Sequence, residues 1–473
     1  MKQFLFLYLS LCSVCLSYSQ EGLRQLLNDS ALKHASVGIQ VTDLNTGKTI
    51  VSHDPQKSLT PASVTKVITS ATVLELLGGE YRYVTRVVLD ENDPTRILVL
   101  GSGDPTLGSD VFGDNTTAFF INITDALKKE MLPDQKYNIY VVDNLFGYDG
   151  ISPEWTWIDI GNYYASGSYG ISIFDNTYKL IFNTSARNAP PRILRTEPDM
   201  KKISFSNFLT LNTTGSDNGY IYGIPFSYER TVKGNIPAGR AEFSIKGDIP
   251  DPGLFLGETL ADYLIRAGVE IGNVETARTD YLAKNPVRYK PGKIIHTQTS
   301  RPMKDIVQEV NVKSNNHYAE HLLRIIGRTQ NTDIYSDALQ AGIGYVKKFW
   351  EQQGISTSSL TLHDGSGLAP QNAFSPAFLT EILAYMYTKS KNSKVFFDSL
   401  PKAGKDGTLR SFMRNTKYEG KISAKSGSIG GVQCYSGYLI DGNKQYAFTV
   451  MINKFNGTRS QVRSAIEKFL LSL

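Results

Sequence analysis

The order of helix-like and strand-like segments along the chain is the feature that most constrains its fold. Near the start, two alternating segments, "SVGIQVTDL" and "KTIVSH", flank a turn "NTG", which predicts a pair of strands. A segment with helical spacing of apolar residues follows, and it stops at Gly78-Gly79 as a helix with a C-terminal cap would. The chain therefore begins with the elements of an α/β domain.

A different pattern occupies the middle of the chain. From about Tyr81 to about Tyr289, short strand-like segments alternate with Gly, Asp, Asn and Pro, and one helical run, "FLGETLADYLIRAG", interrupts them. Helices mixed with strands return after this region and continue to the C-terminus. The pattern predicts one α/β unit, formed by residues 20–82 and 290–473, that is interrupted by a long β-rich insertion at 83–289.

The first 19 residues have the character of a secretory signal peptide. They contain an early lysine, a short apolar block and the small residues Ser17 and Ser19, so we expect cleavage after Ser19 and export of the protein. The apolar block is too short to span a membrane comfortably. Because Cys12 and Cys15 lie within it, Cys434 remains as the only cysteine of the mature chain, which excludes a disulfide framework and a cysteine metal site.

The charge distribution argues against a nucleic-acid partner. The chain has 473 residues with 50 basic and 45 acidic side chains, and the two signs are mixed along its length. Nucleic-acid-binding surfaces concentrate lysine and arginine on one face or in one run, and no such run is present in the sequence.

The stretch "TPASVTKVIT" places Ser63 and Lys66 one turn apart at the start of the first helix. Free backbone N–H groups at a helix start favour developing negative charge, and an amine removed from water can act as a base. These are the requirements of an acyl-transfer nucleophile. The same residue types also fit a capping serine beside a lysine that reaches solvent, and S-x-x-K alone is a weak signal.

Two further motifs follow in the chain. "VKSNNHYAEHLL" places Ser314, Asn315 and Asn316 before a helical run, where they could equally be capping residues. "ISAKSGSIGG" places Lys425, Ser426, Gly427 and Ser428 on a strand. Gly427 keeps side-chain bulk away, so that a peptide could lie along the strand edge, although a plain Gly-rich hairpin has the same pattern.

In the order S-x-x-K, S-x-N and K-[ST]-G, the three motifs are far more specific than any one of them. The chain resembles the penicilloyl-serine transferases, and among them the class C low-molecular-mass penicillin-binding proteins, a D-alanyl-D-alanine carboxypeptidase/endopeptidase family. The segments "LGSGDPTL", "HDGSGLAPQN" and "LPKAGKDGTL" are similar to that family's segments and follow its order. The resemblance implies an α/β (α+β) β-lactamase/transpeptidase-like domain, with an antiparallel sheet flanked by helices and a long β-rich insertion.

The resemblance also implies roles for the first two motifs. Ser63 would be the nucleophile, and Lys66 would be the general base for acylation, alone or together with Ser314 and Lys425. Ser314 would relay a proton to the leaving amine, and Asn316 would hold both the substrate's amide and Lys66.

The third motif would bind the substrate. Lys425 would keep the site positive, while Ser426, which replaces the threonine common in the family, and Ser428 would receive the terminal carboxylate. The backbone N–H groups of Ser63 and Ser428 would form an oxyanion hole.

An acidic residue of the insertion is a further candidate for substrate binding. The segment "SIFDNTYKL" is similar to the family segment that directs an acidic side chain at the active-site cleft, so Asp175 would recognise the cationic side-chain end of the stem peptide. An Asx turn at "DNT" explains the same residues equally well.

The expected reaction is hydrolysis of D-alanyl-D-alanine ends, D-Ala cross-links, or both, in peptidoglycan stem peptides. Water would resolve an acyl-enzyme on Ser63, no cofactor would be needed, β-lactam antibiotics would acylate the same serine, and the protein would act in the periplasm or cell envelope. The alternatives are a β-lactamase or esterase on this scaffold, and a catalytically silent cell-wall binding protein. The intact motifs disfavour the silent protein.

A zinc-protease pattern also occurs in the chain. His317, Glu320 and His321 spell H-x-x-E-H, and their spacing places both imidazoles on one helical face. Because the pattern directly follows the S-x-N motif, we expect a chance match with solvated or capping histidines and no metal site.

Overall fold

The computed structural model describes residues 18–113, 115–132, 134–186, 189–282, 287–333 and 335–473. The predicted signal peptide, 1–19, therefore lies almost entirely outside the described residues. No helix within these ranges is both long and apolar enough to cross a membrane. The chain divides into two compact units, of which the first comprises the described part of Met1–Tyr81 with Pro302–Ile326 and Gly342–Leu473. The second comprises Arg82–Arg301 and Gly327–Ala341.

The first unit is built on a five-stranded sheet in the order β14-β15-β16-β1-β2, in which every neighbouring pair is antiparallel. Its strands are β1 (Ser36–Asp43), β2 (Thr49–His53), β14 (Ile422–Ile429), β15 (Val432–Asp441) and β16 (Lys444–Asn453). The helices are α1 (18–27), α2 (Thr65–Leu77), α6 (Met303–Lys313), α7 (Asn316–Gln330), α8 (Ala338–Gln352), α9 (Pro376–Thr388), α10 (Ser393–Ser399) and α11 (Arg459–Leu471), with the ends of α7 and α8 assigned to the second unit.

Helices cover both faces of this sheet. Leu439 of β15 belongs to a core that includes Leu26 of α1 and Ile466 of α11. The next residue toward the N-terminus, Tyr438, points to the opposite face and donates a hydrogen bond to the carbonyl of Leu383 in α9, at 2.8 Å. The prediction of an antiparallel sheet flanked by helices is confirmed.

In its described residues, the second unit has three sheets. A five-stranded mixed sheet has the order β12-β5-β4-β3-β13, and two three-stranded sheets have the orders β11-β6-β7 and β8-β10-β9. The strands are β3 (Val84–Asp90), β4 (Arg96–Leu100), β5 (Lys136–Val142), β6 (Thr177–Asn183), β7 (Arg192–Glu197), β8 (Ser204–Asn212), β9 (Asn218–Tyr222), β10 (Glu229–Pro237), β11 (Phe243–Asp248), β12 (Glu270–Thr276) and β13 (Pro291–Thr299). The helices are α3 (Ala118–Lys128), α4 (Pro252–Arg266), which matches the predicted helical run, and α5 (Ala277–Leu282).

The end of the insertion differs from the sequence-based boundary at residue 289. Strand β13 pairs antiparallel with β3, from Thr299 opposite Val84 to Pro291 opposite Asp90. This pairing places residues 291–299 in the sheet of the second unit, whereas the sequence analysis assigns them to the catalytic domain. A strand that returns to pair with the first strand of an insertion resembles any other strand in a sequence pattern.

Candidate active site

Ser63 lies on a single 3₁₀ turn, Ala62–Val64, immediately before α2. Ala62 has a φ of 50°, a left-handed conformation that is uncommon outside glycine. The hydroxyl of Thr65 donates to the carbonyl of Ala62 at 2.8 Å and so holds the turn together. The predicted helix thus begins two residues after Ser63 and ends, as expected, before Gly78.

Lys66 is fully buried, and its amine is held by three oxygen atoms. The Nζ atom lies 3.1 Å from Ser63 Oγ, 2.7 Å from Asn316 Oδ1 and 2.7 Å from the carbonyl oxygen of Ser366. Burial lowers the pKa of Lys66 to about 7, although the nearby carboxylates of Asp364 and Glu320 act in the opposite direction. A substantial fraction of this lysine is therefore neutral near neutral pH, and a neutral amine can accept a proton.

The S-x-N motif occupies the junction of α6 and α7. Ser314 has a left-handed backbone, with φ 62° and ψ 37°, which ends α6 and lets α7 begin at Asn316. Asn315 is the capping residue, because its Oδ1 accepts the N–H of Tyr318 at 3.1 Å. Because Asn315 caps the helix, the side chain of Asn316 can accept a hydrogen bond from Lys66. The Ser314 side chain is half-buried at this junction.

The third motif lies on β14. Lys425 is fully buried and donates from Nζ to the carbonyl of Ser426 at 2.8 Å. Burial, and then the charge of Lys66, hold the pKa of Lys425 well below its usual range. The hydroxyl of Ser426 donates to Thr408 Oγ1 at 2.8 Å, and that of Ser428 lies 3.4 Å from Gln433 Oε1.

Gly427 brings the backbone of β14 against the turn that carries Ser63. A Cβ atom at this position would lie 2.5 Å from the carbonyl oxygen of Pro61 and 3.1 Å from the backbone nitrogen of Ser63. Real Cβ atoms do not approach backbone atoms so closely, so only glycine fits without displacing one of the two segments.

Two buried carboxylates complete the surroundings of Lys66. Glu320 Oε1 accepts the backbone N–H groups of Gly365 and Ser366, at 3.0 and 2.9 Å, and Oε2 accepts a hydrogen bond from Arg324. Asp364 accepts backbone N–H groups further along the same loop. Together they fix the carbonyl that contacts Lys66.

These two carboxylates are not among the site residues that the sequence motifs predict. In the sequence, the only signals for a role of these carboxylates are the family-like segment "HDGSGLAPQN" and the position of Glu320 one turn after Asn316.

Comparison with known proteins assigns the chain to a family. The model of the D-Ala-D-Ala carboxypeptidase 3 (S13) family matches residues 19–473. The chain belongs to this family. It is a serine-type D-Ala-D-Ala carboxypeptidase, as the three motifs predict.

Relatives and a solved structure agree with the assignment. The chain is 26% identical to a D-alanyl-D-alanine carboxypeptidase of Actinomadura sp. (strain R39), over 93% of this chain and 81% of the relative. It is 21% identical to the D-alanyl-D-alanine carboxypeptidase DacB of Haemophilus influenzae, over 89% and 86% of the two chains. The crystal structure of penicillin binding protein 4 (dacB) from H. influenzae shares the fold, with a TM-score of 0.76, 19% identity, and coverage of 95% of this chain and 97% of that one.

The two histidines of the H-x-x-E-H pattern in this S13 peptidase lie in the protein interior, whereas the sequence predicts solvated or capping histidines. His317 and His321 are both buried, and their ring centroids lie 4.3 Å apart on one face of α7. The Nδ1 atom of His321 lies 2.9 Å from the carbonyl oxygen of His317, and Glu320 between them is committed to the loop that contacts Lys66. Among the described residues, no group of three or more potential ligands could hold a metal ion.

Asp175 belongs to the second unit, whereas the other predicted site residues belong to the first. It is the middle residue of a left-handed turn, in which Phe174, Asp175 and Asn176 have φ values of 54°, 56° and 52°. The buried side chain of Asn176 stabilises this turn, accepting the N–H of Ile173 and donating to the carbonyl of Gly167. Three consecutive left-handed residues are costly, and such strain is typical of functional positions.

Proposed function

We propose that this S13 peptidase cleaves the D-Ala-D-Ala ends, the D-Ala cross-links, or both, of peptidoglycan stem peptides through an acyl-enzyme on Ser63. The observation that carries the proposal is the buried amine of Lys66, 3.1 Å from Ser63 Oγ and with a pKa near 7. A nucleophile and a base within hydrogen-bond reach, with the base held by other groups, are what serine acyl transfer requires.

In the acylation step, Ser63 Oγ attacks the carbonyl carbon of the penultimate D-alanine while its proton passes to Lys66 Nζ. The carbon–nitrogen bond then breaks, and the leaving amine of the terminal D-alanine takes up a proton relayed by Ser314. Water hydrolyses the resulting ester, which restores the Ser63 hydroxyl, so the cycle needs no cofactor. Asn316 holds the amide of the substrate and the amine of Lys66.

The oxyanion is stabilised by the backbone N–H groups of Ser63 and Ser428. The close approach of Gly427 to the Ser63 backbone supports this assignment, because it brings β14 and the nucleophile turn within contact of each other. Lys425 keeps the site positive, and the hydroxyls of Ser426 and Ser428 receive the terminal carboxylate of the substrate. The hydrogen bond from Ser426 to Thr408 orients the first of these hydroxyls.

Asp175 recognises the cationic side-chain end of the stem peptide in this proposal. The strained turn that carries it is the supporting observation. Replacing Asp175 with alanine should reduce turnover of peptides that have a free side-chain amine more than turnover of their acetylated counterparts. Equal effects on the two peptides would contradict this role of Asp175.

The remaining parts of the proposal concern location and domain structure. The signal-like residues 1–19 and the location of peptidoglycan outside the cytoplasmic membrane support export to the periplasm or cell envelope. The sequence predicts an inserted domain at 83–289 within a catalytic domain of 20–82 and 290–473, and the pairing of β13 with β3 supports an insertion that continues to about residue 299. Limited proteolysis should cut first near the two junctions, around Tyr81 and Arg301, and cuts clustered elsewhere would contradict the inserted domain.

The first experiment measures the intact mass of the protein after brief exposure to a penicillin, for wild type and Ser63→Ala. We expect a stable adduct on wild type only, because a β-lactam carbonyl would acylate the same hydroxyl. Rapid loss of penicillin without an adduct would indicate a β-lactamase. No adduct and no loss of penicillin would leave the silent binding protein as the better interpretation.

A further inference from the structure

The outer face of the β8-β10-β9 sheet in the second unit is rich in aromatic side chains. Its inner face is ordinary core, with Leu209, Ile221 and Val232 buried. Because side chains alternate along a strand, the residues between these point outward. Phe208 on β8 and Tyr220 on β9 are both paired with Lys233 on the central strand, so these three side chains form one row across the sheet.

The aromatic row continues along β9 and beyond the sheet. The rings of Tyr220 and Tyr222 have centroids 6.5 Å apart, and the ring of Trp157 lies 6.1 Å from that of Tyr222, tilted by 33°. Phe208 is 64% exposed and Trp157 is 61% exposed. We call Phe208, Tyr220, Tyr222 and Trp157, together with Lys233, the aromatic face.

Polar side chains are interspersed with these rings. Lys233 Nζ lies 5.9 Å from the centroid of Tyr222, which leaves its charge at the surface beside the rings. Asn235, next in line on β10, accepts hydrogen bonds from the amides of Asn212 and Asn218. The face therefore combines flat apolar surfaces with hydrogen-bonding groups and one cation.

We propose that the aromatic face binds the glycan strand of peptidoglycan, a chain of linked amino-sugar rings. A pyranose ring has an apolar C–H face, which packs on an aromatic ring, and a rim of hydroxyl and amide groups, which asparagine and serine side chains bind. Lys233 complements the carboxylates that the attached peptides place beside the glycan. The inference rests on the proposed function, since it assumes that peptidoglycan is the substrate polymer.

A purely structural role explains these residues less well. Aromatic side chains that stabilise a fold are buried, as Tyr178 on the neighbouring β6 is, at 1% exposure. Single exposed apolar residues are common, but a row of them that crosses a sheet and extends into a neighbouring loop marks a binding surface.

Tryptophan fluorescence provides a direct test. The chain has three tryptophans, and Trp155 and Trp350 are buried, at 5% and 0% exposure, so Trp157 reports selectively on the aromatic face. Titration of the full-length protein with a soluble hexamer of β-linked N-acetylglucosamine should shift the emission to shorter wavelengths as water leaves Trp157. Tyr222→Ala should weaken binding about tenfold, and Tyr335→Ala, an exposed tyrosine outside the aromatic face, should leave it unchanged.

Co-sedimentation with purified insoluble peptidoglycan complements the titration. Trp157→Ala should sediment about tenfold more weakly than wild type, while its hydrolysis of a soluble D-Ala-D-Ala peptide should be unaltered. No emission shift together with unaltered sedimentation of Trp157→Ala would overturn the proposal, and that outcome would also follow if the face bound a protein. Failure of the wild type to hydrolyse the soluble peptide would refute the proposed function separately, whatever the sedimentation result.

Discussion

Arg230 in the second unit and Lys66 in the first are both buried cations, but their surroundings neutralise them in different ways. In the second unit, Arg230 and Asp248 form a buried ion pair at 3.1 Å, and the arginine also donates to the carbonyls of Ile224 and Ser227. In the first unit, Lys66 is bound only by a hydroxyl, an amide and a carbonyl oxygen.

A second cluster in the second unit also places a buried arginine beside carboxylates. The guanidinium of Arg278 lies 3.7 Å from Asp143 and 4.0 Å from Asp251, and its Cζ is 3.8 Å from the centroid of the Phe226 ring. Burial raises the pKa of Asp143 to about 7, while the charge of Arg278 acts in the opposite direction.

The difference shows how the surroundings of a buried cation decide whether it keeps its proton. An arginine paired with carboxylates stays charged and holds its neighbours in place, because its intrinsic pKa lies far above the working pH. A lysine bound by neutral acceptors loses its proton easily, and this makes it a base. Arg230 should therefore govern stability, whereas Lys66 should govern catalysis.

The largest expected effect is that of Lys66→Met on catalysis. Removing the base should slow acylation by penicillin on the order of 10³-fold. The free energy of unfolding should fall by only about 1–3 kcal/mol, because methionine fills a similar volume and leaves neutral acceptors without a donor. Stopped-flow acylation and urea denaturation measure the two quantities. Lys57→Met, at an exposed lysine, is the control. A loss of stability in Lys66→Met as large as that in Arg230→Met would contradict the contrast between the two buried cations.

Arg230→Met should lower stability strongly and change catalysis little, the opposite of Lys66→Met. Removing one partner of a buried ion pair leaves Asp248 uncompensated, so the free energy of unfolding should fall by about 3–5 kcal/mol. Hydrolysis of a soluble peptide by the folded protein should stay within about twofold of wild type. The matched control is Arg195→Met, whose exposed pair with Glu242 should leave the free energy of unfolding almost unchanged. Equal destabilisation by the two variants would contradict a structural role for the buried pair.

Gly427→Ala tests the close approach of β14 to the nucleophile turn. The added methyl group would meet the Pro61 carbonyl at 2.5 Å, so the two segments must separate. Because oxyanion donors act only at close range, acylation should slow by about 10²-fold. Gly430→Ala is the control, since a Cβ atom there would meet nothing within 4 Å. Comparable rates in the two variants would show that the contact has no part in catalysis.

The smallest effect is a shift in pH dependence. Lys66 is faced by the carboxylates of Asp364 and Glu320, which raise its pKa, and by Lys425, whose own pKa is lowered by the charge of Lys66. Glu320→Gln removes one negative charge, so the pKa of Lys66 should fall and the acid limb of kcat/KM should move to lower pH. Because burial raises the pKa of Glu320 itself to about 7, the shift should be less than about one pH unit.

The control for this shift is Glu381→Gln, at an exposed glutamate elsewhere in the first unit. The acid limb of kcat/KM for Glu381→Gln should coincide with that of wild type. An unmoved or rising acid limb in Glu320→Gln would show that this carboxylate does not act on Lys66.

The catalytic motifs are predictable because their order along the chain is specific, even though each is weak alone. Local pattern also predicts the strand pair at the start, the end of α2 and the run that forms α4. The contact between Lys66 and Asn316 joins residues 250 positions apart, and here only the resemblance to a family indicates the pairing.

Other features depend on tertiary packing and leave no periodic signal. Glu320 binds backbone N–H groups 45 residues away, in a loop whose path is set by the whole domain. The burial of His317 and the pairing of β13 with β3 also depend on the packing of segments that are distant in the sequence. Residue type and spacing report on local structure, whereas these contacts depend on which distant segments meet.

The three acceptors around Lys66 have a consequence for where its lone pair points. A protonated amine has three N–H bonds and can donate to all three oxygens, whereas a neutral amine has two N–H bonds and one lone pair. The Asn316 Oδ1 atom and the Ser366 carbonyl can only accept, so they keep the two N–H bonds. The lone pair is then directed at Ser63, whose hydroxyl is the one group of the three that can donate a proton to it.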